Sequence, residues 1–263
     1  MKPFKTIIMK KMLNNDRNNK LTRRNNMLDN IQLDNILFLD IETVPEVENF
    51  TDLDKDYQEL FAHKTQYQRK EEFTPEEFYE RAGIWAEFGK IVCISVGYFT
   101  QKQGERQFRV TTFQSDEERL LIEFSNLVNN HFSLPQHLMC GHNVKEFDFP
   151  FIARRMLIHG IKIPAKLNLM GKKPWEVPHL DTLELWKFGD YKHFTSLKLL
   201  TKVLGVPSPK DDIDGSEVAK VFYKDKDIDR IATYCEKDVI AVAQIILKLR
   251  FQKLLTDDEI LKV

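Results

Sequence analysis

The sequence predicts a single α/β domain, a mixed sheet flanked by helices. Three observations carry this. The run Ile36-Leu37-Phe38-Leu39 is apolar on both faces, as a strand buried between two layers must be. Strand patterns crowd the first half of the chain and helical patterns the second. A further strand pattern follows the first long amphipathic helix, which is the arrangement of a crossover to a parallel neighbour.

Taken in order, Ile36 to Glu42 forms the first strand and ends in carboxylates at Asp40 and Glu42. Residues 49–89 read as a charged helical insertion, because Thr74-Pro75-Glu76-Glu77 supplies a capping Thr, a first-turn Pro and a Glu at the third helical position. Strands are expected over Ile91 to Phe99 and Gln107 to Phe113. A second capping box, Ser115-Asp116-Glu117-Glu118, opens an amphipathic helix through Leu120, Leu121, Phe124, Leu127 and Val128. His137 to Cys140 is the fourth strand. Pro150 begins a helix that ends near Gly160, and Ser196 caps another that carries Leu197, Leu200, Val203 and Leu204 up to Gly205. After a Pro/Asp loop from Val206 to Gly215, a short helix starts at Ser216 and a long one runs from Ile228 towards Leu255. No internal repeat is visible.

Composition narrows the class. With 263 residues and 42% hydrophobic content the chain is long enough for a full core, and 10 Gly and 10 Pro exclude collagen-like and low-complexity architectures. No apolar run reaches the roughly 18 residues of a membrane span. Three cysteines without a CxxC pair point to a reducing, cytoplasmic setting rather than a disulfide framework. The net charge of -1 conceals an asymmetry: residues 1–26 hold 8 Lys/Arg against Asp16 alone, a charge of +7, which leaves -8 for the rest. That arm is Asn-rich and without helical period, so residues 1–30 are read as a disordered extension and 31–263 as the folded domain. There is no GxxxxGK[ST] or GxGxxG for a nucleotide-powered motor or a dinucleotide enzyme, and the 210–215 segment fails as a calcium loop because Val221 stands where its last ligand would be Glu.

Three segments carry candidate chemistry. Asp40 and Glu42 lie two apart on a strand, hence on one face, where two carboxylates repel unless protons or a cation sit between them. In Gly141 to Pro150 the chain leaves a strand and enters a helix, which brings Asp148 to a positive helix N-terminus, while Asn143 suits the turn and His142 is read as ordering it. On the last long helix, Tyr234 and Asp238 are four apart and share a face. Each segment alone also fits ordinary structural duty, as a strand end, a cap or a helix surface. Together, four carboxylates are able to hold two divalent cations about 4 Å apart for phosphodiester displacement. Oxygen-only ligands favour Mg²⁺ or Mn²⁺ over Zn²⁺, and a neutral phenol orients a water rather than deprotonating it.

Phe38-Leu39-Asp40-Ile41-Glu42-Thr43, then His142-Asn143 with Phe147-Asp148, then Tyr234 with Asp238, in this order, resemble the three motifs of the DEDD exonucleases with Tyr in the third motif. More closely, the chain is similar to stand-alone bacterial 3′–5′ exonucleases related to the proofreading domain of family B DNA polymerases. The similarity runs roughly from Ile36 to Arg250 and takes in Lys173-Pro174-Trp175, His179-Leu180-Asp181-Thr182 and Ile213-Asp214-Gly215. It implies a ribonuclease H-like fold with a mixed five-stranded sheet, and release of nucleoside 5′-monophosphates from a 3′ end. It further implies that Asp40 bridges two metal ions, that Glu42 and Asp238 hold the ion that activates water, that Asp148 serves the second, and that Tyr234 positions the water. No motif residue is substituted, and the short stretch after Asp238 is expected to leave no room for a polymerase domain.

The expected substrate is nucleic acid with a free 3′ end, single-stranded or frayed DNA being favoured. Backbone groups near Ile41 and Thr43, together with Asn143 and Phe147, are expected to meet the terminal nucleotide. Lys172, Lys173, Trp175, Lys187, Phe188, Tyr191, Lys192 and His193 interleave basic and aromatic types as a single-strand groove does, and as solvated lysines beside core aromatics also do. Of these, Lys173, Lys192 and His193 are taken as contacts. The alternatives are an exoribonuclease and a non-catalytic nucleic-acid-binding module on the same fold.

Overall fold

The computed structural model describes residues 27–70, 72–190, 192, 194–207 and 213–263. The expectations for residues 1–26, for Tyr191 and His193, and for the middle of the Pro/Asp loop lie outside the described residues. Met27–Asn30 form a 3-10 turn with Leu28 buried, so the fold takes in the last residues of the segment read as an extension.

The sheet is mixed and flanked by helices, as expected of a ribonuclease H-like domain, and its order is β5-β4-β1-β2-β3-β6. β1 (Ile36–Pro45) pairs antiparallel with β2 (Gly89–Lys102), which pairs antiparallel with β3 (Glu105–Phe113). On its other side β1 runs parallel to β4 (Leu138–Gly141), and β4 to β5 (Leu180–Asp181). The expected five strands are joined by a sixth. β6 (Ile260–Lys262) adds to β3 in parallel, too short to leave a pattern in the sequence.

Between β1 and β2 the insertion folds into α1 (Lys55–Arg69) and the single turn α2 (Pro75–Phe78), where Thr74 and Glu77 cap each other as the sequence indicates. α3 (Glu117–His131) is capped by Asp116, whose carboxylate accepts the Arg119 N–H at 3.1 Å, rather than by Ser115. α4 (Asp148–Ile158) starts two residues before Pro150. The proline is tolerated there because the first four N–H groups of a helix have no partner within it. α5 (Thr182–Lys187) is a helix the sequence reading left out, and α6 (Leu197–Leu204) runs from the Ser196 cap to Gly205 at φ 63°. α7 (Val218–Lys220) is one turn, and α8 (Ile228–Leu249) stops six residues short of Leu255. Phe251 at φ 55° turns the chain, and Gln244 Oε1 accepts the Leu255 N–H at 2.8 Å, which steers it towards β6.

Both faces of the sheet are covered. Leu37, Leu39 and Ile41 pack with Leu120 and Phe124 of α3 and Ile152 and Met156 of α4, while Ile36 and Phe38 pack with Val239, Val242 and Ile246 of α8. Burying each such side chain is worth roughly 1.5–3 kcal/mol, so the strand is held firmly enough to carry unfavourable charges just beyond them. Alternation then fixes where those charges point. Asp40 and Glu42 continue the even-numbered series of Ile36 and Phe38, and they face the α8 layer.

Candidate active site

β1 carries Asp40 and Glu42 in its middle, because the strand runs on to Pro45 rather than ending at Glu42 as the sequence suggests, and a register shift between Glu42 and Thr43 bends it just beyond the two acids. α8 supplies Cys235 from the layer these carboxylates face, with Tyr234 beside it half-buried against the cluster of Val44, Val92 and Cys93, and Asp238 one turn further along the helix. One ligand atom each of Asp40, Glu42 and Cys235 lies within 4.8 Å of the others. The Cys235 thiol approaches both the backbone oxygen and Oδ2 of Asp40 at 3.4 Å. Asp238 is near enough for its charge to be felt at Asp40 and at Glu42.

Asp148 arrives from the other layer. As the first residue of α4 it is buried, and its Oδ1 accepts the Ile41 N–H at 3.2 Å, which ties the helix start to the strand between the two acids. The turn that brings it there is closely fitted. A Cβ on Gly141 would meet the Leu39 oxygen at 2.9 Å and Val144 Cβ at 2.7 Å, and Asn143 takes φ 62°, a left-handed conformation that Asn adopts more readily than most residues. Asp181, buried at the end of β5, holds this turn by accepting the N–H groups of Asn143 at 3.0 Å and Lys145 at 3.1 Å while capping α5. His142 bridges the Thr182 hydroxyl at 2.9 Å and the Thr195 oxygen at 2.8 Å, the ordering role the sequence reading gave it.

The electrostatics are those of a site built for cations. Burial, followed by the charges of Asp148 and Asp238, pushes the Asp40 carboxyl well above the usual carboxylate range, against a hydrogen bond from Cys235 that lowers it. Burial and the neighbouring Asp40 push Glu42 up likewise. Burial raises Asp148 to about 7, although hydrogen bonds from backbone N–H groups, that of Ile41 among them, lower it. Glu42 is 8% exposed and accepts no hydrogen bond from the described residues. Such a group needs a proton or a cation, and an oxygen-rich donor set suits hard divalent ions. Asp40, Glu42 and Cys235 are therefore the described residues placed to hold an ion together.

The remaining expected contacts are more dispersed. Ile41 is buried with its N–H given to Asp148, and the Thr43 hydroxyl donates to the Gly83 oxygen at 2.7 Å. Phe147 is half-buried at the cap of α4, 5.5 Å from the Phe151 ring. Lys173 leads a short 3-10 turn with its Nζ 5.4 Å from the exposed Trp175 ring, and Lys192 is exposed with its N–H on Asp190. The sequence reading missed Asp181 as the anchor of the Asn143 turn and Cys235 as a neighbour of Asp40. For Cys235 a signal existed, since a position three before Asp238 shares its helix face.

A family model for predicted 3′–5′ exonucleases related to the exonuclease domain of PolB matches residues 84–259. The chain belongs to this family. The matched span contains Asp148, Tyr234 and Asp238, whereas Asp40 and Glu42 precede it and are joined to it by the pairing of β1 with β2 and β4. Exonuclease domains of this type depend on metal, and an acidic cluster is present here at Asp40 and Glu42. Among solved structures, the family B DNA polymerase of the hyperthermophilic archaeon Pyrobaculum calidifontis is similar at TM-score 0.46 and 16% identity, over 81% of this chain and 24% of that one. This chain thus spans about a quarter of that polymerase. No curated protein matches. Among the described residues no helix is long and apolar enough to cross a membrane.

Proposed function

We propose that the chain is a metal-dependent 3′–5′ exonuclease that acts on single-stranded or frayed DNA ends in the cytoplasm, with Mg²⁺ or Mn²⁺ as a pair of ions. The observation that carries this reading is the convergence of β1, α4 and α8, which brings acids from distant parts of the chain within electrostatic reach of one another. Divalent ions held by Asp40, Glu42, Asp148 and Asp238 supply Lewis acidity at the scissile phosphate. The oxygen of a water attacks phosphorus and the P–O3′ bond breaks, leaving a 3′-hydroxyl on the shortened strand and releasing a nucleoside 5′-monophosphate. Tyr234 orients that water through its phenol. With ions bound, Asp40 would serve both, Glu42 and Asp238 would hold the one that activates the water, and Asp148 would serve the other.

The strand end is met by the backbone around Ile41 and Thr43, by Asn143 and by Phe147. Lys173, Lys192 and His193 contact its phosphates as a local basic patch, because the body of the chain carries net negative charge. Free thiols at Cys93, Cys140 and Cys235, all buried, suit a reducing compartment.

The test is a time course on a 5′-labelled DNA oligomer, and on RNA of the same sequence, with Mg²⁺, Mn²⁺ or chelator. A metal-dependent ladder shortening from the 3′ end, faster on DNA, is expected. Faster shortening of RNA would make the chain an exoribonuclease. Binding of both oligomers without cleavage under any condition would make it a binding module.

A further inference from the structure

We propose that the centre is also a site for a thiophilic divalent ion, Zn²⁺ or Cd²⁺, held by the Cys235 thiolate together with Asp40 and Glu42. Cys235 is fully buried, and its Sγ stands 3.4 Å from Asp40 Oδ2. That separation is close to the roughly 3.5 Å between neighbouring ligands of a tetrahedral zinc with ordinary Zn–S and Zn–O lengths. With Glu42 included, the three donor atoms lie within 4.8 Å of one another, so modest side-chain adjustment closes them on one ion. Glu42 is the independent indication of a ligand, since it is more than nine-tenths buried at 8% exposure and no described residue donates to it.

The donor chemistry decides which ion. An all-oxygen set selects hard cations, whereas a sulfur ligand selects softer ones, for which a catalytic acid cluster without a thiol has less preference. On binding, the Cys235 S–H bond breaks, the proton leaves to solvent, and the sulfur lone pair forms the bond to the ion, with no change of oxidation state. Asp40 and Glu42 are then no longer available to Mg²⁺ or Mn²⁺. The soft ion thus competes with the hard ones and blocks the site. Cys93 pairs with Glu42 across β1 and β2 and is close to Cys235, yet it is not among the three converging donors.

The assignment of Asp40 and Glu42 to a hard-ion site rests on the proposed function, but soft-ion binding is read directly and does not need cleavage. The experiment is titration of the metal-free full chain with Cd²⁺, followed by ultraviolet thiolate-to-metal charge-transfer absorption, in the wild type, Cys235→Ser and Cys93→Ser. One saturating transition is expected in the wild type and in Cys93→Ser. In Cys235→Ser the band is expected to vanish and the calorimetric half-saturation concentration to rise at least about tenfold. A full band in Cys235→Ser, or none in the wild type, overturns the proposal. Cadmium-113 NMR of the wild type gives a readout without substitution: a shift in the range for one sulfur ligand supports the site, and one in the all-oxygen range overturns it.

Discussion

Glu117 in the α3–α4 layer and Asp40 on the α8 side of β1 are both carboxylates withdrawn from water, and their surroundings are opposite. Glu117 accepts the Ile91 N–H at 2.7 Å, two hydrogen bonds from Arg155 and one from His159 at 2.8 Å. Arg155 in turn reaches Glu46 at 3.0 Å and the Ala86 oxygen at 3.0 Å, so this cluster joins β1, the insertion, α3 and α4 with its charges paired inside the chain. Asp40 receives a weak thiol donor and faces Glu42, Asp148 and Asp238. Where a buried acid serves the fold, the chain brings its own cation. Where a buried acid has no such partner among the described residues, as at Glu42, the missing charge must come from a proton or from solution, and that separates a binding site from a structural ion pair.

The largest effect that tests this contrast is on the side of the acid cluster. Asp40→Ala and Asp238→Ala should each lower cleavage at least about a thousandfold, beyond the roughly 10–100-fold typical of groups in the outer shell of a metal. The labelled-oligomer time course measures this, and near-wild-type rates in either variant would remove that acid from the site. On the paired side, Arg155→Met strands the buried Glu117, and it should cost about 3–5 kcal/mol of stability. Urea unfolding reads it, and a loss below about 1 kcal/mol would show that water or His159 replaces the guanidinium.

The two regions were also unequally legible. Asp40, Glu42, Asp148, Tyr234 and Asp238 lie in short local patterns, a strand that turns acidic, a proline-marked helix start and a four-residue helical repeat, each of which alone fits structural duty and which only the resemblance to the ordered exonuclease motifs joins. The first strand and the flanking helices followed from apolar periodicity, because both faces of β1 are covered. The Arg155 cluster left no such trace, since its partners stand 38 residues away at Glu117 and 109 at Glu46. β5 and β6 were missed because two or three residues cannot show alternation, and their pairing is fixed by neighbours. Asp181 carries no local sign of its role under the Asn143 turn, since the N–H groups it accepts lie 38 and 36 residues away, and Cys235 gains its place only because parity aims Asp40 at α8.

A pH scan sharpens the comparison without substrate. Asp148 is raised from 3.8 to about 7, so the metal-free fold favours its protonated form. The stability this group allows is fully present below the ordinary aspartate range and is lost as pH rises through about 7. At about 1.4 kcal/mol per pK unit, Asp148→Asn should gain on the order of a few kcal/mol over the wild type at pH near 8 without metal. Thermal melts with chelator test it, and Mg²⁺ should remove most of the wild-type slope. Identical slopes in the two proteins would mean that burial does not raise Asp148. The smallest effect is at the phenol: Tyr234→Phe should slow cleavage about ten- to a hundredfold, the low end for groups that handle a reacting water, with Mn²⁺ affinity little changed. An unchanged single-turnover rate would take Tyr234 out of the reaction.

The most direct test of the central claim is calorimetric titration of the metal-free chain with Mn²⁺, comparing the wild type with Asp40→Asn and recording the melting temperature of each before metal is added. A site that takes its cation from solution predicts that Asp40→Asn loses at least about tenfold in Mn²⁺ affinity while melting at the same or a higher temperature, because a carboxylate disfavoured by burial and by its acidic neighbours is gone. Equal Mn²⁺ binding in the two proteins, or a marked fall in the melting temperature of Asp40→Asn, would contradict it and make Asp40 a structural residue like Glu117.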